Sequence, residues 1–349
     1  MIHTLFSHWQ QPNSGWLAIK TLDMHTGGEP LRIIIDGFSD LQGKTMLEKR
    51  ADCLARFDEL RKALMFEPRG HADMYGALIT PPERETSHFG VLFLHNEGYS
   101  TMCGHAIIAL ATAAKDSGIA HFTDGINELR IDTPAGLIKA YVELKRNKIQ
   151  QVFFDNVASF VDKLNQHVDL PMFGTINYDI AFGGAFYAFV DADALDLNLS
   201  PENHEQIISL GKAIKQQIND SYPPVHPESD DLSFLYGVIF YSNSQITNSD
   251  VFSRHVCIFA HGELDRSPTG TGVSARVALE HAKGRLSLHQ RIKIESILGC
   301  AFTVELKEHT RILATQAVIP RVSGSAYVTG QHTFLIDPYD PLKEGFIFR

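Results

Sequence analysis

Short runs of β-branched and aromatic residues, each closed by Gly, Pro, Asn or Asp, recur at 31–36, 89–94, 151–155, 185–191, 235–241 and 302–306. Runs of this length and composition predict strands. Apolar residues recur at helical spacing over 45–55 and 203–219, which predicts two amphipathic helices. Two other segments, 104–114 (GHAIIALATAA) and 272–283 (GVSARVALEHAK), are rich in small residues and leave directly from glycine-containing loops. They are apolar on most sides, as a helix enclosed by strands would be. Roughly half the chain separates them, which suggests one buried helix per domain and a boundary near 155–160. The stretch 222–231, with three prolines and several acids, reads as an exposed loop. Solenoid repeats and low-complexity tracts are absent from the sequence.

Composition narrows the class. A chain of 349 residues is long for one hydrophobic core, so two domains are expected. Hydrophobic residues at 44% and charged residues at 21% are ordinary for a globular protein. No apolar run approaches the ~18–20 residues that span a bilayer. Met1 to Trp16 lacks a basic start followed by a continuous apolar stretch, so a cytoplasmic protein without a signal peptide or membrane partner is expected. The net charge of −10 argues against nucleic acid as a partner. It also means that an anionic small molecule must be held by a local device. Cys53, Cys103, Cys257 and Cys300 form no CxxC pair, so neither a disulfide framework nor a structural zinc site is expected.

The candidate chemistry lies where the two buried helices begin. In Met102-Cys103-Gly104-His105 a thiol sits at the first turn, where unpaired amides and the helix dipole favour negative charge. Such a position can lower a cysteine pKa from ~8.5 to between ~3.5 and 7.5, fitting Cys103 to act as base or nucleophile. Before the other helix, in Asp265-Arg266-Ser267-Pro268-Thr269-Gly270-Thr271-Gly272, glycines flank Thr271 and leave amides free to grip an anion. The segment has neither the lysine of a P-loop nor the spacing of a dinucleotide fingerprint.

Together these segments resemble the proline racemase family. The resemblance begins at Asp23-Met24-His25-Thr26-Gly27-Gly28-Glu29-Pro30. It runs through Glu67-Pro68-Arg69-Gly70-His71-Ala72-Asp73-Met74-Tyr75-Gly76, closes at Gly330-Gln331-His332 and Asp337-Pro338-Tyr339-Asp340-Pro341-Leu342, and covers nearly the whole chain. It implies an α/β (α+β) fold of two similar halves, each a mixed or antiparallel barrel-like sheet around a central helix. The implied halves are 1–157, carrying MCGH and completed by 335–349, and 158–334, carrying DRSPTGTG. It also implies a cofactor-free, metal-free enzyme, a homodimer, with a prolyl substrate between the helix N-termini. By motif, the amides of Gly104, His105, Gly270 and Thr271 would hold the substrate carboxylate. Asp265 would pair with the ring ammonium, assisted by the His105 side chain.

One departure from the family pattern directs the expected reaction. Isomerases of this family place a cysteine on each side of the substrate α-carbon. Cys103 matches the first, but the second position is Thr269. A threonine hydroxyl is far less acidic than a thiol and exchanges protons poorly. With one thiol, the α-carbanion-like state can leave by β-elimination if the adjacent carbon carries a leaving group. Family members with threonine here resemble trans-3-hydroxy-L-proline dehydratases. In that substrate the C2 hydrogen and the 3-hydroxyl share one ring face, so Cys103 alone, a water or His105 could protonate the departing hydroxyl. Proline racemase or hydroxyproline epimerase activity is the alternative, and an inactive prolyl-ligand binder is a third. Asp23, His25, Glu29, His71 and Asp73 are read as structural, while Met74 and Tyr75 could reach the pocket and set substrate fit.

Overall fold

The computed structural model describes residues 15–348 apart from 172. Residues 1–14, most of the segment read for a leader peptide, lie outside the described residues. Among those described are eighteen strands and four α-helices: α1 (Met46–Met65), α2 (Gly104–Ser117), α3 (His204–Ser221) and α4 (Gly270–Ala282). The strands join in one mixed sheet that folds into two similar halves. In the first, eight strands from Leu17–Thr26 to Lys148–Asp155 surround α2; in the second, strands from Phe160–Leu170 onward surround α4.

The halves are interleaved. Strand Thr315–Gly324 pairs with Lys148–Asp155, matching Arg321 to Asp155. The chain then crosses back as Ala326–Ile336, antiparallel to Leu17–Thr26, from Thr26↔Ala326 to Leu17↔Ile336. The return therefore starts at Ala326, ahead of position 335. Further on, Glu67 and Phe346 form a bridge that ties the end of the described chain to the same half. No helix of the described residues is long and apolar enough to cross a membrane.

Local chemistry explains where the helices start and stop. Thr45 and Glu48 form a reciprocal capping box at the start of α1, satisfying two orphan amides. The helix continues to Met65, beyond the expected 55, because its second half buries Arg61 where the apolar pattern would place a hydrophobe. That guanidinium donates to the His95 carbonyl at 2.8 Å and pairs with Asp58 at 2.6 Å. Helix α2 ends at Gly118, whose φ of 77° is the left-handed cap glycine adopts freely. Helix α4 starts at Gly270, two residues before the expected 272, which draws Gly270 and Thr271 into its first turn. The 222–231 loop is anchored: Pro224 is buried, as is His226, whose ring lies 4.7 Å from that of Phe182.

Helix α4 also hides a charge. Arg276 is 1% exposed, pairs with Glu280 at 2.8 Å and lies 3.8 Å from the centre of the Tyr241 ring. Arg285, at 2.5 Å, is a second partner for Glu280. A buried guanidinium is tolerated only while it is paired. Glu280→Ala should therefore cost about 3–5 kcal/mol of stability, read as a lowered urea midpoint. A shift within experimental error would show that Tyr241 and local polar groups suffice to hold the charge.

Candidate active site

The two central helices meet at their N-termini, backbone to backbone. A Cβ built on Gly104 would lie 2.8 Å from the Gly270 Cα, and one on Gly270 the same distance from the Gly104 Cα. No side chain fits between them. The first helical hydrogen bonds run from Ile107 N to Cys103 O (3.1 Å) and from Val273 N to Thr269 O (2.8 Å). The amides of 104–106 and 270–272 thus have no partner within their helices, and two sets of donors converge.

Beside this contact is a tight cavity of about 30 Å³, room for a water-sized group and well below the usual size of a ligand pocket. Cys103, Gly104 and His105 line it from α2, and Asp265, Thr269, Gly270 and Thr271 from the start of α4. All seven residues singled out by motif therefore surround one space. Tyr75 joins them, whereas Met74 faces the other way into the core beneath α1, since neighbouring residues point to opposite sides of an extended chain. Met102 also lines it, and Tyr187, Tyr236 and Phe259 complete the wall. No local motif marks the last three, which come from separate strands of the second half.

Around Cys103, the sulfur lies 3.1 Å from His105 Nδ1. The same imidazole hydrogen-bonds the Pro30 carbonyl, and burial favours its neutral form. A carbonyl can only accept, so in that form a ring N–H faces Pro30 and a lone pair is left for the thiol. The Tyr75 hydroxyl hydrogen-bonds both Ser100 Oγ and the Cys103 sulfur. The position at the helix start does not lower the thiol pKa here. Burial pushes it up and the Asp265 and Glu29 carboxylates add to the rise, against the Ala106 amide and Tyr75. Desolvation of the thiolate outweighs those two hydrogen bonds.

Across the cavity, Thr269 has φ 67°, a left-handed conformation that β-branched residues rarely adopt. Its hydroxyl donates to Asp265 Oδ2 at 2.8 Å and its amide to Ser267 Oγ at 3.1 Å, while Asp265 Oδ1 accepts the Ser267 amide at 2.7 Å. This turn is braced from the first half. Glu29, fully buried, accepts the Arg266 amide at 2.7 Å, and Asp73 pairs with the Arg266 side chain at 2.7 Å. The Tyr187 hydroxyl bonds Thr271 Oγ1 at 2.7 Å.

The other residues of the opening motif have separate partners. Asp23 pairs with Arg32 at 2.9 Å, and His25 Nδ1 accepts the Gly28 amide at 3.2 Å. His71 is exposed. Among the described residues no three His, Cys, Asp or Glu side chains come together as metal ligands.

Two helix N-termini meeting around a thiol and an aspartate in a small cavity describe an enzyme built for a compact anion. The proline racemase family model matches residues 21–347, and the chain belongs to that family. It is 51% identical over 346 residues to the trans-3-hydroxy-L-proline dehydratase of Colwellia psychrerythraea (strain 34H), covering 99% of this chain and 97% of that protein. It is 43% identical to the trans-L-3-hydroxyproline dehydratase of Xenopus tropicalis, with 97% and 98% covered. A crystal structure of a hydroxyproline epimerase from Agrobacterium vitis with bound trans-4-hydroxy-L-proline superposes with a TM-score of 0.87 at 31% identity, covering 95% of this chain and 96% of that one.

Two predictions follow from the geometry. Gly270→Ala forces the helix ends apart and should lower stability by about 1–3 kcal/mol; an unchanged melting curve would mean the ends are not in contact. Because burial raises the Cys103 pKa, the free enzyme holds a neutral thiol at pH 7. Alkylation of the Cys103 peptide by iodoacetamide, followed by mass spectrometry, should be slow at neutral pH and still rising above the ordinary ~8.5. A fast rate already constant at pH 7 would mean the thiolate is the resting form.

Proposed function

We propose that this chain is a hydro-lyase that dehydrates trans-3-hydroxy-L-proline to Δ1-pyrroline-2-carboxylate, with Cys103 as the base. The observation that carries the reading is the one-sidedness of the cavity: a thiol on one wall, and on the other a threonine whose hydroxyl is committed to Asp265. The names of the relatives in Colwellia and Xenopus agree with it.

The substrate carboxylate is held by the amides of Gly104, His105, Gly270 and Thr271, which also receive the charge that builds as the α-carbon loses its proton. Asp265 takes the ring ammonium. That positive charge enters a site where burial and carboxylates disfavour the thiolate, so substrate binding itself promotes ionisation of Cys103, the thiol proton passing to solvent. The thiolate removes the C2 hydrogen and the C2–C3 double bond forms as the 3-hydroxyl leaves. The enamine then tautomerises to the cyclic imine. Dehydration is redox-neutral, so the balance requires no electron acceptor. On this reading the protein is cytoplasmic and a homodimer, the latter open to test by sedimentation.

Proton NMR in deuterated buffer with trans-3-hydroxy-L-proline tests the assignment. Pyrroline-carboxylate signals should grow as substrate disappears; washout or inversion at the α-carbon with the 3-hydroxyl retained would make the enzyme an isomerase instead. Cys103→Ser should abolish turnover, because a hydroxyl is a far weaker base. Thr269→Cys should add measurable inversion at the α-carbon, and its absence would show that position 269 does not face the second side of the substrate.

A further inference from the structure

Elimination needs an acid for the departing hydroxyl as well as a base for the α-hydrogen. We infer that Tyr75 is that acid, and that it recovers its proton from Cys103, so the hydrogen taken from C2 ends on the Tyr75 oxygen. The inference rests on the dehydratase reading above and assigns a step which that reading leaves open.

The substrate's own geometry narrows the search. The C2 hydrogen and the 3-hydroxyl lie on one ring face, so the acid must stand beside the base, on the Cys103 wall. Thr269 and Tyr187 are on the other side, their hydroxyls bound to Asp265 and Thr271. His105 is on the correct side but is the wrong kind of group. Burial favours its neutral form, in which an N–H goes to the Pro30 carbonyl and a lone pair faces the sulfur. Tyr75 remains. It lines the cavity, and its hydroxyl touches both the Cys103 sulfur and Ser100 Oγ. Its ring is fixed edge-on to His105, 4.9 Å between centres at 74°, and stacked with His95 at 5.8 Å. Burial raises the phenol pKa, so it carries its proton at any working pH.

The proton balance closes without an outside group. Thiolate sulfur takes the C2 hydrogen, and the C–H pair becomes the C2–C3 π bond. The C3–O bond breaks, its electron pair leaving with oxygen, and that oxygen receives the Tyr75 proton to depart as water. Cys103 S–H returns a proton to the Tyr75 oxygen along their existing hydrogen bond. The sulfur is again a thiolate and Tyr75 again a phenol. Ser100 donates to the Tyr75 oxygen and steadies the transient negative charge. The relay spares the sulfur from reaching two substrate atoms in succession.

The test is Tyr75→Phe, assayed by NMR in deuterated buffer with trans-3-hydroxy-L-proline for two events at once: pyrroline-carboxylate formation and α-hydrogen washout from remaining substrate. Loss of a general acid typically costs 10²–10⁴-fold. Dehydration should fall by about 10²-fold or more, while washout persists within a few-fold of the rate at which the wild type breaks the C–H bond. Dehydration at the wild-type rate would overturn the inference, leaving Cys103 as its own acid. Equal loss of both events would overturn it too, since Tyr75 would then only position the thiol. Wild-type enzyme inert toward this substrate would instead end the dehydratase reading and the relay together. Should the phenylalanine variant fail to fold, 3-fluorotyrosine at position 75 keeps the shape and lowers the phenol pKa. It should change the ratio of dehydration to α-hydrogen washout, and an unchanged ratio would overturn the relay.

Discussion

The contact between Gly104 and Gly270 sets the terms for everything else in the molecule. Two helices can present their first-turn amides to the same small ion only if their ends nearly touch, and only hydrogen at both Cα positions permits that. The strands wrapped around each helix hold it on axis, and the core continues from α2 into α4 through residues such as Ala106, Phe154, Val273 and Val277. The cavity is the gap left beside the contact, so its size follows from the helix positions and from the residues at each start, Cys103 and Thr269.

That enclosure has an electrostatic cost which organises the chemistry. The buried thiol, imidazole and phenol on one wall are each biased toward neutrality by loss of water. Asp265, opposite them, keeps its oxygens occupied by Ser267 and Thr269. On the proposed reading, a zwitterion entering this space brings counter-charges for both walls: its carboxylate for the helix amides, its ammonium for the aspartate. The machinery would then be completed by the molecule it acts on. Glu29 and Asp73 reach across from the first half to hold Arg266, so the aspartate-bearing turn depends on both halves being in register.

Much of this is legible in the residues. Glycine-led, small-residue helices read as buried because nothing polar interrupts most of their faces, and the thiol and the DRSPTGTG turn read as a pair through the family resemblance. What eludes a reading of periodicity has identifiable causes. The hairpin of Gly125–Thr133 and Gly136–Lys145 alternates charged outer residues with buried Ile138, Ala140, Val142 and Leu144, so it lacks the continuous β-branched and aromatic run that marks the other strands. Arg61, inside and bonded to backbone carbonyls, hides the second half of α1. Tyr187, Tyr236 and Phe259 reach the cavity only through tertiary folding. The ionisation of Cys103 eluded it for the same reason: helix position argues for a thiolate, while the burial and carboxylates that reverse the sign come from elements distant in the chain.

The pairing of Leu17–Thr26 with Ala326–Ile336 also bears on how the protein is made. A ribosome adds about 5–20 residues per second and domains generally fold in the order they emerge. Here one side of the earliest described strand waits for a partner some three hundred residues later, a delay of roughly 15–60 s at that speed. Through that interval the nascent first half carries an unpaired strand edge, the kind of surface that recruits neighbouring chains. The first half is begun first and finished last, and its burden falls on whatever guards the chain during synthesis.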